Sequence, residues 1–144
     1  GFTLRKINLN IFENFISKDF LSTSSYNKNI YRYDAEISSI AFNKDFYNDI
    51  EKIAPFGTGN PLPTFLFKDL KVIKTKVLNK KHISLILKSK IGFTINSISF
   101  NTVNSKIGEY LLNYKKNLNV LGQINENFWN NKKTLQLTIR DLIL

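Results

Sequence analysis

Cysteine and methionine are absent from the 144-residue chain, and histidine occurs once, as His82. Without cysteine the chain cannot form a disulfide, a thiolate zinc site or a thiol nucleophile. A single histidine excludes every metal site that needs two of them. The absence of cysteine is typical of a reducing compartment, so we expect a cytoplasmic protein. The absence of methionine, including at position 1, predicts that the chain is a piece of a longer protein.

Long apolar runs are also missing from the sequence. No segment approaches the roughly 18 consecutive apolar residues of a transmembrane helix. The N-terminus lacks the basic start and apolar core of an export signal. We therefore expect no association with a membrane. Hydrophobic residues make up 42% of the chain, which is ordinary for a globular domain.

Proline is scarce, and all three prolines fall in one stretch, APFGTGNPLPTF at 54–65. Proline fixes φ and lacks an amide hydrogen, whereas glycine permits positive φ, so neither a helix nor a central strand is expected there. We expect Gly57 and Gly59 to adopt positive φ. Two phenylalanines favour a packed joint over a flexible tether. We predict a rigid joint at 55–65 between units at 1–54 and 66–144, and a structural role is favoured over a phosphate-binding amide nest. The joint positions are Pro55, Phe56, Gly57, Gly59, Asn60, Pro61 and Pro63.

Basic and acidic residues are distributed unevenly on the two sides of the joint. Up to Thr64, seven basic residues are cancelled by seven acidic ones, whereas fourteen basic residues face four acidic ones from Phe65 onward. The net charge of +10 therefore lies entirely in the second unit. The alternative to a binding role is a solubilising surface rich in lysine because of the gene's base composition. Base composition alone would not confine the net charge to one side of the joint.

Periodicity in the first unit predicts strand, helix, strand and helix. The two helices are expected to begin after capping residues Asn8 and Asn43. The predicted elements are Gly1–Leu4, Leu9 to about Phe20, Ile30–Ile37 and Lys44–Ile53.

Periodicity in the second unit changes to two residues, which predicts strands. The predicted elements are strands at 66–78, 82–89 and 93–101, a helix at 104–114, and strands at 118–127 and 134–144. The apolar phase slips within the third strand, which predicts a β-bulge near Asn96 and Ser97. A helix between the third and fourth of five strands indicates an OB-fold barrel. The predicted fold class is α+β, a five-stranded OB-fold barrel preceded by a small α/β fragment.

The joint resembles the Pro-Phe-Gly-x-Gly-Asn-Pro-x-Pro sequence of RecJ, the single-strand-specific DNA exonuclease. Three later segments are similar to the same family: His82–Leu87, Ile98–Asn101, and Asn127–Asn131 with Leu135–Asp141. Asn131 departs from the family, which usually has glycine in this turn. The family's Gly-Gly-His motif is absent from this chain.

This resemblance implies that residues 1–54 are the C-terminal part of a DHH-associated domain and that residues 66–144 are the OB-fold domain. It implies a parent enzyme that is a metal-dependent 5′→3′ exonuclease of DNA repair and recombination. Manganese or magnesium would be held by a catalytic domain outside this sequence. The implied partners are single-stranded DNA and the rest of the nuclease chain, and a single-strand-binding protein is a further candidate.

Within this chain the residues favour binding over catalysis. His82 has no carboxylate near it in the sequence, so we favour a structural or surface role for it, with DNA contact as the alternative. Asp34 and Glu36 lie on the same face of a strand, and we favour a solvated face or a helix-cap partner over a metal site. We therefore predict no catalytic residue, metal or cofactor in this chain.

Lysines crowd the first two barrel strands, where they can neutralise phosphates, and an exposed aromatic side chain can stack on a base. The candidate stacking residues are Trp129, Phe128, Phe100 and Tyr110, of which Phe100 and Tyr110 are interpreted as core residues. The predicted function is binding of single-stranded DNA. The alternatives are a protein-interaction module for a replication or repair partner, and an RNA-binding domain. The candidate nucleic-acid-binding residues are Lys74, Lys76, Lys80, Lys81, His82, Lys88, Trp129, Lys132, Gln136 and Arg140.

Overall fold

The computed structural model describes residues 3–23, 30–113 and 116–143, and the chain forms two compact units, residues 1–32 and 33–144. The described part of the first unit holds a 3₁₀ turn, Lys6–Asn8, and helix α1, Leu9–Thr23. The predicted helix is confirmed, but Asn8 is not its cap, because Asn8 belongs to the preceding 3₁₀ turn. Of the predicted first strand, Gly1 and Phe2 lie outside the described residues, and Thr3 and Leu4 are not in a strand.

The compact unit at residues 33–144 begins with a short segment that leads into the barrel. Its elements are strand β1, Ala35–Glu36, a 3₁₀ turn, Ser39–Ala41, and helix α2, Lys44–Glu51. The predicted cap is confirmed, because Asn43 Oδ1 accepts a hydrogen bond from the Phe46 amide at 2.9 Å. The predicted strand at 30–37 is reduced to two residues. Strand β1 pairs in parallel with the start of a barrel strand at Phe65. Just before β1, the Asp34 amide donates to the Thr64 carbonyl at 2.8 Å, but Asp34 is not part of the strand.

The rest of the second unit is a closed five-stranded mixed barrel, which confirms the OB-fold prediction. The strand order is β2-β3-β4-β6-β5, and pairing of β2 with β5 closes the ring. Helix α3 lies between β4 and β5 in the chain, as in an OB fold. Tyr114 and Leu144, at the ends of predicted elements, lie outside the described residues. The bounds are β2 Phe65–Leu78, β3 His82–Lys88, β4 Thr94–Ser99, α3 Lys106–Asn113, β5 Leu118–Trp129 and β6 Lys132–Ile143.

The hydrophobic core fills the barrel interior. Successive side chains of a strand point to opposite faces, and β3 sends Ile83, Leu85 and Leu87 inward, each at most 2% exposed. Leu111 of α3 is also buried against this core. The remaining side chains with almost no exposure are Phe67, Leu70, Ile95, Leu118, Val120, Ile124 and Leu137.

The predicted bulge at Asn96 and Ser97 is wrong, because β3 and β4 pair without interruption from Ile83–Ser99 to Lys88–Thr94. The apolar phase slips because serines, not apolar residues, follow Ile95 on the buried face. Ser97 and Ser99 are buried, and Ser99 Oγ accepts a hydrogen bond from the Thr102 hydroxyl at 2.9 Å. The register shifts instead in β2, between Phe67 and Leu70 and between Val72 and Lys74, and in β5 at Leu121–Gly122.

The Pro/Gly joint is ordered by a short turn. Gly57 and Asn60 form a two-way backbone bridge, and the Asn60 side-chain amide donates to the carbonyls of Ile53 at 2.7 Å and Pro55 at 3.1 Å. Among the described glycines, Gly92 alone has positive φ. The expected left-handed backbone of the joint glycines is therefore not observed. The compact units divide at residues 32 and 33, and the assignment of residues 1–54, 55–65 and 66–144 to separate parts remains a prediction.

Gly108 is required by the close approach of α3 to the loop before it. A Cβ placed on Gly108 would lie 1.8 Å from the Thr102 carbonyl oxygen, whereas a Cβ on Gly57 would meet nothing within 4 Å.

Substitution of glycine by alanine inside a helix ordinarily stabilises the helix. Here we expect Gly108→Ala to lower the free energy of unfolding by about 1–3 kcal/mol, because the backbone of the loop must move. Gly57→Ala is the control and should change it by less than about 0.5 kcal/mol. Urea denaturation measures both, and a Gly108→Ala variant as stable as wild type would contradict the packing.

Candidate nucleic-acid interface

A cleft of about 310 Å³ lies on the outer surface of the barrel. Strands β2, β3 and β4 form one side of it, and the β5–β6 hairpin contributes the other. Polar side chains, namely lysines, amides and hydroxyls, make up nine of its eleven lining residues. The lining residues are Lys74, Thr75, Lys76, Ser84, Leu85, Ile86, Asn96, Ser97, Asn127, Thr134 and Gln136.

Strand register places the lysines of β2 and β3 on the outer face. Lys76 lies opposite Ser84 and Lys74 opposite Ile86, and paired residues in neighbouring strands share a face. Ile83 and Leu85 point into the core, so their neighbours Ser84 and Ile86 point outward. Lys71 pairs with Lys88 on the same face. The register therefore places Lys74, Lys76 and Lys88 on the same outer face. Lys74 and Lys76 line the cleft, whereas Lys88 lies outside its lining.

The hairpin wall presents amides and hydroxyls to the cleft. Asn127 lies opposite Thr134, and Asn125 lies opposite Gln136. The Asn125 side-chain amide donates to the Thr138 hydroxyl at 3.0 Å, which holds this wall in place. Amides and hydroxyls of this kind can hydrogen-bond to base edges, to sugars or to phosphate oxygens.

The cleft lysines lack the carboxylate partners that other lysines have. On another part of the barrel, Lys68 contacts Glu36 at 2.6 Å and Lys90 contacts Asp69 at 2.9 Å. The Glu36 contact raises the pKa of the Lys68 ammonium. Within the described residues, no carboxylate lies within ion-pair distance of the cleft lysines, so their charges are available to an anionic ligand. The cleft lysines are Lys74 and Lys76. Lys71 and Lys88 lie on the same outer face but outside the lining, and they too have no ion pair among the described residues.

Trp129 lies near the tip of the β5–β6 hairpin and is 73% exposed. It pairs with Lys132, and by alternation it shares a face with Asn127, the cleft wall. Phe128 is 64% exposed and points to the opposite face. The turn consists of Asn130 and Asn131, both with positive φ, a conformation that asparagine tolerates. Asn131 therefore fits the turn in which the resembling family usually has glycine.

Several candidate residues lie outside the cleft lining. Lys80 and Lys81 occupy the turn after β2, and the Lys81 carbonyl accepts a hydrogen bond from the Val103 amide. Arg140 is exposed at the register shift between β5 and β6. Lys132 is exposed at the hairpin tip, whereas Gln136 lines the cleft.

His82 has a structural environment. Its Nδ1 accepts a hydrogen bond from the Asn101 amide at 3.0 Å, and its ring lies edge-on to Phe100 with centroids 5.3 Å apart. Phe100 is 51% exposed, so its interpretation as a core residue is wrong. It extends the outward phase of β4 and is covered in part by His82. Tyr110 is partly buried against the core, as expected.

Sequence reasoning found Lys74, Lys76 and Gln136 of the cleft lining and missed the other eight residues: Thr75, Ser84, Leu85, Ile86, Asn96, Ser97, Asn127 and Thr134. Alternation in β3 already places Ser84 and Ile86 on the outer face, so the signal for these two was present. Asn96 was obscured by the predicted bulge. Asn127 and Thr134 reach the cleft only because β6 pairs with β4, which no local pattern indicates.

Glu126 lies on the face of the hairpin away from the cleft. Its carboxylate forms ion pairs with Lys44 of α2 and, at 3.0 Å, with Lys133 of β6. These two contacts lower the pKa of Glu126 below its ordinary value. The ammonium of Lys44 also lies 4.7 Å from the centroid of the Tyr47 ring. Burial, followed by the charge of Glu51, raises the pKa of Tyr47.

Within the described residues, no three His, Cys, Asp or Glu side chains are grouped so that they could hold a metal ion. Asp34 and Glu36 have other partners: Asp34 accepts from the Thr64 amide at 2.8 Å, and Glu36 binds Lys68. In the same part of the chain, no helix has the length and apolar character needed to cross a bilayer.

Comparison with known proteins bears on these features. Residues 33–141 match a family model described as the RecJ OB domain. No curated protein gives a significant match. Two crystal structures of RecJ from Thermus thermophilus are similar to this chain, each at 18% sequence identity. The complex with Mg²⁺ has a TM-score of 0.60 over 92% of this chain, and the complex with Mn²⁺ has 0.63 over 100%. The chain spans 20% of the length of each Thermus chain, and at this identity the likeness concerns the fold.

The Glu126 ion pairs predict a pH-dependent contribution to stability. Since the folded state lowers the pKa of Glu126, its contribution is complete above the ordinary carboxyl pKa and is lost as the pH falls through the lowered value. We expect Glu126→Gln to melt at a lower temperature than wild type at neutral pH. The difference should close on acidification, as measured by thermal melts followed by circular dichroism over a pH series. A difference that stays constant below the carboxyl range would contradict the role of these ion pairs.

Proposed function

Because the chain belongs to the RecJ OB domain family, we propose that its outer cleft binds single-stranded DNA within a longer exonuclease. The observation that carries the proposal is the cleft itself. Lys74 and Lys76 have no ion-pair partner in the described residues, and they face a wall of amides and hydroxyls. Trp129 is exposed beside that wall.

The chemistry of the cleft supports a flexible polyanion as ligand. Lysines that neutralise phosphates release counterions and give affinity independent of base sequence. The cleft side of the barrel, together with the β2–β3 turn and the β5–β6 turn, corresponds to the surface that OB folds use for oligonucleotides. Single strands expose the faces of their bases, and an exposed indole such as Trp129 offers a stacking platform to one of them.

We further propose that the parent protein is a 5′→3′ single-strand-specific DNA exonuclease of repair and recombination that acts in the cytoplasm. Its hydrolysis would depend on manganese or magnesium held elsewhere in the longer chain. The described residues here do not fit such a metal, so no catalytic step is assigned to them. The partners of this chain would be single-stranded DNA, the rest of the nuclease and a single-strand-binding protein.

Removal of cleft lysines tests DNA binding. Lys74→Ala and Lys76→Ala should each weaken binding of a short single-stranded oligonucleotide alike for all base sequences, because phosphate contacts carry no base information. Each should also reduce the steepness of the log–log salt dependence by about 0.7. A fluorescence titration at several salt concentrations measures both quantities.

Lys68→Ala and Lys90→Ala are matched controls, because each lysine is already paired with a carboxylate outside the cleft. They should leave the salt slope unchanged. If all four variants keep the wild-type slope, the lysines form only a solvated surface and the DNA-binding proposal fails. Weak salt dependence together with capture of a replication protein would favour an interaction module, and stronger competition by RNA of equal length would favour RNA.

Trp129 should contribute through stacking rather than charge. We expect Trp129→Ala to cost about 1–3 kcal/mol of binding free energy with no change in salt slope. Phe128→Ala is the control, because this neighbouring aromatic points away from the cleft and should have little effect. Equal losses of binding free energy in the two variants would show that binding depends on the hairpin tip as a whole and not on stacking by Trp129.

A further inference from the structure

The hairpin that carries Trp129 is open along one edge. Strand β5 pairs with β2 only from Leu118–Leu70 to Phe65–Gly122. Beyond Gly122, within the described residues, that edge has no strand partner, while the other edge pairs with β6 as far as Trp129. A two-stranded ribbon is marginally stable by itself. The position of this arm beside the cleft must therefore be fixed by other contacts.

Side chains supply those contacts on the open edge. The amide of Gln123 donates to the Leu62 carbonyl at 2.9 Å and contacts the Thr64 hydroxyl at 3.2 Å. Further along the arm, Glu126 binds Lys44 of α2, and only 20% of its side chain is exposed. These contacts replace the missing backbone ladder at two points.

The residues that hold the arm are themselves held in place. Prolines flank Leu62 on both sides and restrict the backbone around its carbonyl. Helix α2 is capped by Asn43 and packs Phe46 against Phe65, with ring centroids 5.4 Å apart. The contacts on the arm therefore start from ordered elements rather than from loose loops.

We propose that Lys44, Leu62 and Thr64 form a brace that fixes the β5–β6 arm beside the cleft. Gln123 and Glu126 are then positioning residues for single-stranded DNA, an inference that rests on the function proposed above. Trp129 lies three residues beyond Glu126 and Asn127 only one, so release of the brace would move both the stacking platform and the cleft wall. A pre-ordered arm loses less freedom on binding, which increases affinity. The Pro/Gly joint, which contains Leu62 and Thr64, thereby helps to position the binding site.

Glu126→Gln separates positioning from simple electrostatics, because the two predict changes of opposite sign. Removing a negative charge should by itself tighten binding to DNA. Loss of the brace should instead weaken binding by about three- to tenfold, as expected when an arm must be ordered during binding. Glu36→Gln is the control: it removes a negative charge that is paired with Lys68 away from the cleft, and binding should be unchanged or tighter. Glu126→Gln binding as tight as wild type, or equal weakening by both variants, would overturn the proposal.

Lys44→Ala provides a second break in the brace, and it carries the same test if Glu126→Gln does not fold. Loss of a positive charge weakens DNA binding in general, so Lys52→Ala, which removes another lysine paired with a carboxylate next to the same helix, is the control. The brace requires Lys44→Ala to weaken binding more than Lys52→Ala does. Equal effects would overturn it.

Trp129 is the only tryptophan of the chain, so its fluorescence reports on the arm directly. Without DNA, Glu126→Gln should lower the fluorescence anisotropy of Trp129 relative to wild type, while Glu36→Gln should not. This measurement does not depend on DNA binding. If wild type fails to bind single-stranded DNA but the anisotropy falls as expected, the proposed function fails while the brace stands. Unchanged anisotropy overturns the brace.

Discussion

The parallel pairing of β4 with β6 is the constraint on which the rest of this barrel depends. It consists of Ser97 with Leu137 and Ile98 with Thr138. These pairs join two antiparallel ribbons, β2–β3–β4 and β5–β6, into one closed sheet. Closure encloses the core and removes the free sheet edges along the segments that pair, whereas β5 remains open beyond Gly122 within the described residues. Closure also sets the hairpin residues Asn127, Thr134 and Gln136 beside the lysine-bearing strands, so the same two pairs contribute to both the core and the cleft.

Local patterns in the sequence were sufficient for the parts of the fold that depend on neighbours in the chain. The alternation of β3, the Asn43 cap and the position of α3 all follow from spacing and capping chemistry. Partners distant in sequence were not predictable, because residues such as Asn127 and Thr134 carry no local signal for the strand they will face. The wrong bulge has a similar origin: Ser97 and Ser99 occupy buried positions that periodicity assigns to apolar residues, because hydrogen bonds satisfy their hydroxyls within the chain.

The segment before the barrel shows where composition misleads. Its glycines suggested left-handed backbone, yet Gly57 and Gly59 lie outside that region and face open space. Asn60 orders the joint, because its side-chain amide donates to the carbonyls of Ile53 and Pro55. The side-chain amide of Gln123 in β5 also donates to the Leu62 carbonyl of the joint. The polar side chains, rather than the glycines and prolines that drew attention to this stretch, make the decisive contacts.

The unequal pairing of lysines also affects how fast a ligand can arrive. Lys68 and Lys90 are matched by carboxylates, whereas Lys74 and Lys76 are not. The surface therefore has a neutralised region and an unscreened positive one, which together make an electric dipole. In the field of a polyanion such a dipole turns the molecule before contact, and collisions become productive more often than random orientation allows. At physiological ionic strength this guidance extends over roughly 8 Å, so it acts during the last approach.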